Sequence, residues 1–102
     1  MPIMEISIVP LGAKTVSVSE YIAGSIEVLK KEKGIKYKLT SMGTIVEANS
    51  VERLLGIASR MHNKVLNSEI KRAVTAIKID DRRDKKLTMA KKVKSVRKRL
   101  KP

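Results

Sequence analysis

The strongest constraint on this fold is a hydrophobic period that switches repeatedly along the chain. Met4-Glu5-Ile6-Ser7-Ile8-Val9 alternates with period two up to Pro10 and reads as a strand. Pro10-Leu11-Gly12 then reads as a turn. Ser17-Val18-Ser19-Glu20 has the form of a capping box, and Ile22, Ile26 and Leu29 follow at helical spacing. Lys30, Lys31 and Lys33 suit the helix C-terminal end, and Gly34 can adopt a left-handed conformation after it. Ile35 to Thr40 alternates again, with Ile35, Tyr37 and Leu39 inward. Ser41-Met42-Gly43 makes a tight connection, and Thr44 to Ala48 is a third, central strand. Asn49 or Ser50 caps a second helix, whose stripe is Val51, Leu54, Leu55, Ala58, Met61 and Val65 and which ends at Asn67-Ser68. Ala73 to Asp80 is a fourth strand, and a last helix is predicted from about Thr88 to Leu100.

The order β-α-β-β-α-β predicts an α+β fold of the ferredoxin-like, split βαβ type. Right-handed crossovers would put the first and third strands in the middle of an antiparallel sheet, with two helices on one face. Residues 1–84 would form this domain, and residues 85–102 a basic amphipathic helix belonging to it. The narrow stripe Met89, Val93, Val96 and Leu100 on that helix suits docking on the sheet rim or on another subunit.

Phasing the strands by their apolar residues leaves Glu5, Ser7, Val9, Lys36, Lys38, Thr40, Glu47, Val74, Ala76, Lys78 and Asp80 on the other, open face. Lys78 should then lie near Glu5 or Ser7. A four-stranded sheet with a mixed polar and apolar second face is solvated, paired with another sheet, or used for a ligand.

Composition removes several functions. There is no cysteine and one histidine, so disulfides, thiolate chemistry and a structural zinc site are not expected. No apolar run approaches the ~20 residues of a membrane span. The start of the chain lacks the basic flank and apolar core of a leader, which predicts a cytoplasmic protein. No nucleophile accompanies His62, and the glycines form no phosphate loop, so no catalytic constellation, cofactor or metal is expected. Asp80, Asp81 and Asp84 are interleaved with Arg82 and Arg83, which favours salt bridging over cation binding.

The net charge of +13 is unevenly spread: residues 78–102 hold 12 Lys/Arg against 3 Asp, a net of +9. Such a tail keeps a chain soluble or meets an anionic partner. Only Tyr21 and Tyr37 are aromatic, so nucleic acid would be held by phosphate contacts from residues 82–101, not by stacking on the sheet.

The motifs also carry a resemblance. Ser7-Ile8-Val9-Pro10-Leu11-Gly12, Ser17-Val18-Ser19-Glu20-Tyr21, Tyr37-Lys38-Leu39-Thr40 with Met42-Gly43-Thr44, Glu47, Ile77-Lys78-Ile79-Asp80-Asp81-Arg82-Arg83-Asp84 and Lys92-Val93-Lys94-Ser95-Val96 stand in this order. With them the chain resembles the thiamine-binding protein family, first known as a family of uncharacterised small proteins. Met-Gly-Thr and Lys-Ile-Asp-x-Arg are its most specific segments. The resemblance implies a subunit that pairs through its sheet into dimers and tetramers, is not an enzyme, and binds thiamine or its pyrimidine near the interface. The expected ligand residues are Ser7, Thr40, Met42, Gly43, Thr44 and Glu47, supported by Lys78 and Asp80. Glu47 would offset the thiazolium charge or accept from the exocyclic amine, and the Thr and Ser hydroxyls would add neutral hydrogen bonds. Two other readings stay open: a nucleic-acid-associated protein acting through the tail, and a structural oligomer with no ligand.

Overall fold

A computed structural model describes residues 1–12, 18–67 and 69–100. Its elements are β1 (Ile3–Leu11), α1 (Val18–Lys30), β2 (Lys36–Thr40), β3 (Gly43–Glu47), α2 (Val51–Val65), β4 (Arg72–Asp80) and α3 (Met89–Arg99). The four strands form one antiparallel sheet in the order β2-β3-β1-β4. α1 packs against α2, and the pair covers one face of the sheet over β1 and β4.

Register turns the alternation into two chemically distinct faces. Met4 pairs with Val46 and Ile79, so these three share the helix-covered face. Glu5 pairs with Ile45 and Lys78, so these three share the other. The core consists of Met4, Ile6, Ile8 and Val46 from the sheet, Leu29 from α1 and Leu54, Ile57, Ala58, Met61 and Val65 from α2. Each fully buried aliphatic side chain contributes about 1.5–3 kcal/mol.

The α2 stripe differs from the sequence reading at one step. Ile57 is buried, whereas Leu55 is 48% exposed. At 100° per residue Ile57 lies nearer than Leu55 to the line through Leu54, Ala58 and Met61. Ser50 is the N-cap, its hydroxyl accepting from the Arg53 N–H at 3.1 Å, and α2 stops at Val65, short of Asn67. Ser17, the first residue of the expected capping box, and Ser68 lie outside the described residues. Gly34 adopts φ +73°, where a side chain would be strained.

β1 runs through Pro10, where the sequence suggested a stop. Within β1, only Ile3–Ile6 pair with β3, while residues 7–11 pair with β4 alone. Pro10 therefore sits where one side of the strand has no ladder, and its missing N–H costs little there.

Past the end of α1, Glu32 joins the two helices. It accepts from Arg60 and, at 3.4 Å, from Arg53. The Arg60 hydrogen bond is the main reason its carboxyl titrates below the ordinary value of 4.5. A carboxylate with a lowered pKa contributes stability above that ordinary value and loses it as pH falls through the folded-state value. Glu32→Gln should therefore cost about 1 kcal/mol at pH 7. Denaturant titrations of both proteins from pH 7 to pH 3 should show the difference shrinking below about pH 4.5. A constant difference would mean that packing, not charge, sets the loss.

Candidate functional site

The β2–β3 connection is a two-residue hairpin, with Thr40 opposite Gly43. Neither Ser41 nor Met42 has a positive φ, so this is not one of the turns whose twist matches a hairpin. Thr40 closes it instead. Its hydroxyl donates to the Gly43 carbonyl at 2.7 Å and accepts from the Met42 N–H at 3.2 Å. Gly43 presses on β1 so closely that a Cβ there would stand 2.9 Å from the Ile6 carbonyl oxygen. That approach leaves no room for a side chain without moving backbone.

Beneath this turn, on the helix-covered side, is a cavity of about 190 Å³. Ser7, Thr40, Met42, Gly43 and Thr44 border it, with Ser25 and Ile22 of α1 and Met61 of α2 opposite. Thr44 pairs with Ile6, which puts it on the core face, and it is 4% exposed. Its hydroxyl has no hydrogen-bond partner among the described residues. The Ser25 hydroxyl, also buried, donates to the Ile22 carbonyl at 2.8 Å and keeps its oxygen free to accept. Among the described residues, no charged side chain lines the cavity. Met42, 81% exposed, stands at its mouth.

The structure divides the eight residues expected at one site. Five surround this cavity; Glu47, Lys78 and Asp80 do not. Thr44 is also separated from Glu47 by sheet face, because an odd offset along one strand reverses side-chain direction. Glu47 is 2% exposed and lies under α3. Its Oε1 accepts the Met89 N–H at 2.8 Å, at the first residue of α3. Thr88 caps the same helix by accepting from the Lys91 N–H at 3.1 Å. Glu47 is thus a fastening for the last helix, favoured by the positive end of the helix dipole. A ligand role shared with Thr44 does not fit this placement, although Thr40 falls by register on the same face as Glu47. Asp80 bonds Lys92 at 2.6 Å, also holding α3, and Lys78 stands 3.9 Å from Glu5. Lys78 and Asp80 border an open groove of about 640 Å³ beside α3 that runs across the sheet to β2 and is lined there by Lys38 and Thr40.

Arg82 bonds Asp84 through two nitrogens, at 2.6 and 3.1 Å, and Arg83 bonds Asp81 at 3.0 Å. These pairs match the salt bridging expected of that segment. The Arg82 hydrogen bond is the chief reason the Asp84 carboxyl titrates below its usual range. Among the described residues, no group of three or more His, Asp and Glu side chains is arranged to hold a metal ion, and no helix is long and apolar enough to cross a membrane.

Ser25 was not singled out in the sequence, and Ile22 and Met61 were read there only as core positions of their helices. The available signal was Ser25, a hydroxyl placed between Ile22 and Leu29 at helical spacing, where a core residue is expected.

The chain belongs to the thiamine-binding protein family, whose model matches residues 4–97. A UPF0045 protein of Bacillus subtilis is 39% identical over 105 residues, covering 100% of each chain. One from Methanothermobacter thermautotrophicus is 36% identical, covering 94% of this chain and 96% of its own. The crystal structure of a hypothetical protein from Methanocaldococcus jannaschii superposes with a TM-score of 0.82 at 39% identity, covering 93% of this chain and 94% of that one. A Thermotoga maritima protein, assigned provisionally to thiamine biosynthesis or salvage, shares the fold with a TM-score of 0.71 at 23% identity, covering 93% and 97%.

Two substitutions test this geometry. Thr40→Val keeps the shape and removes both turn bonds, so it should cost about 1–2 kcal/mol in denaturant unfolding. Glu47→Ala strips the helix fastening, and hydrogen exchange should show α3 amides losing protection while β1 and β4 keep theirs. Unchanged α3 exchange would contradict the role given to Glu47.

Proposed function

We propose that this protein is a non-catalytic binder of a small neutral heteroaromatic ring, the aminopyrimidine end of thiamine or a related pyrimidine. The carrying observation is the uncharged cavity under the Thr40–Gly43 hairpin, with the Thr44 hydroxyl unpartnered inside it. A cavity of roughly 150 Å³ accommodates one benzene ring; this one, at about 190 Å³, suits one substituted ring. Ring nitrogens and an exocyclic amine match the Thr44 and Ser25 hydroxyls. A thiazolium would stay at the mouth by Met42, since nothing inside offsets a charge. Ser7, Thr40, Met42, Gly43 and Thr44 form the proposed binding set, and membership in the family supports the ligand class.

The element and strand orders support the ferredoxin-like reading, and the sheet supports self-association. α3 stands over the Ile3–Glu47–Asp80 end of the second face. Val9, Leu11 and Val74 remain exposed at the other end, at 46%, 37% and 51%. We place the contact between copies there.

Calorimetric titration with thiamine and with its free aminopyrimidine tests the binding reading. Both should bind, and Thr44→Val should weaken both by about tenfold, the loss of one hydrogen bond. Equal binding by wild type and Thr44→Val would remove the cavity from consideration. For assembly, Val74→Asp should shift the mass in light scattering toward one subunit; an unchanged mass would place the contact elsewhere.

A further inference from the structure

α3 borders a second groove on its β2 side, of about 870 Å³. Lys36 and Lys38 of β2 and Lys94 and Arg97 of α3 line it. None of these four makes an ion pair among the described residues, although ion pairs are formed by Lys30, Arg53, Arg60, Lys78, Arg82, Arg83 and Lys92. The one carboxylate in the groove, Glu47, faces Lys36 across the ladder but gives its Oε1 to the Met89 N–H. Residues 85–102 hold nine Lys/Arg, Lys94 and Arg97 among them, and no acidic residue. Four like charges left together without partners raise one another's energy, and an anion supplies what the chain does not.

We propose that this groove binds the phosphate backbone of single-stranded nucleic acid, without base selectivity. Its shape favours a single strand, because a duplex carries its phosphates on a rod that cannot enter a cleft between a strand and a helix. Selectivity has no means here. No Asn or Gln lines the groove, and Tyr37, its one aromatic, falls by register with Val46 on the opposite face. A lipid surface fits less well. Met89 and Val93 of α3 face the grooves under the helix, and the opposite side presents Lys91, Ser95 and Lys98. Only Val96 and Leu100 extend the stripe, too little for a helix that must bury one face among acyl chains. The groove lies diagonally across the sheet from Val9 and Val74, so it stays open in the assembly proposed above.

Fluorescence anisotropy of the full chain with a labelled uridine 20-mer, titrated over salt, tests the proposal. Wild type should bind, with affinity falling steeply as salt rises. The triple variant Lys38→Gln, Lys94→Gln, Arg97→Gln should bind at least tenfold more weakly at low salt. Its log–log salt slope should be shallower by about 2, at roughly 0.7 per lost single-strand contact. The charge-matched control Lys30→Gln, Lys64→Gln, Lys71→Gln should stay within about twofold of wild type. Thermal melts establish that both variants fold. An equal loss in the control would make the effect one of net charge and overturn the groove. Tighter binding to a duplex of equal length, or binding to anionic phospholipid vesicles without binding to the 20-mer, would also overturn it.

Discussion

A buried carboxylate at the start of the last helix organises the second face of this sheet. Moving Glu47 out of water is costly, and the cost is offset by the Met89 N–H at 2.8 Å and the positive helix end behind it. The Asp80–Lys92 pair, half exposed, adds orientation more than energy. Together they hold α3 over one end of a face that would otherwise be open. That placement creates the two grooves flanking the helix. It also leaves the Val9–Val74 end uncovered and gathers basic residues of α3 beside those of β2.

The hairpin site works by different physics. Thr40 spends its hydroxyl on closing an ill-matched turn, and Gly43 lets that turn lie against β1. Among the described residues the space beneath is lined by aliphatic groups and no charged side chain, with hydroxyls of Thr44 and Ser25 inside. Recognition of a cationic vitamin by this cavity would rest on its neutral ring. Long-range repulsion from a +13 chain is screened within about 10 Å at moderate salt and does not decide such binding.

Much of this was legible in the sequence. Period-two alternation assigned the faces of β1, β2 and β4, because a one-residue slip would expose the core, while in β3 Ile45 and Val46 competed for it. The Glu5–Lys78 proximity followed from the strand order of the split βαβ arrangement, and the salt bridging of Arg82 and Arg83 from local pattern. What sequence could not show was long-range. Glu47 and Met89 are 42 positions apart, and nothing in either segment names the other. Thr44 was grouped with Glu47 on chemical type, but strand parity sends the two to opposite faces. Leu55 and Ile57 are both apolar, and the choice between them depends on the rotation of α2 against the sheet, which only packing decides. Ser25 was hidden by a helical stripe in which a small hydroxyl looks like tolerated core.

If the proposed binding holds, the two faces of one sheet have separate tasks, a neutral ring bound under the hairpin and the fastening of α3 on the other side. Chemical-shift mapping of the labelled protein with the free aminopyrimidine tests it most directly. Shifts are expected at the amides of Ser25 and Thr40 to Thr44, with Glu47, Lys78, Asp80 and α3 unmoved. Shifts centred on Glu47 and α3, with the hairpin silent, would contradict it.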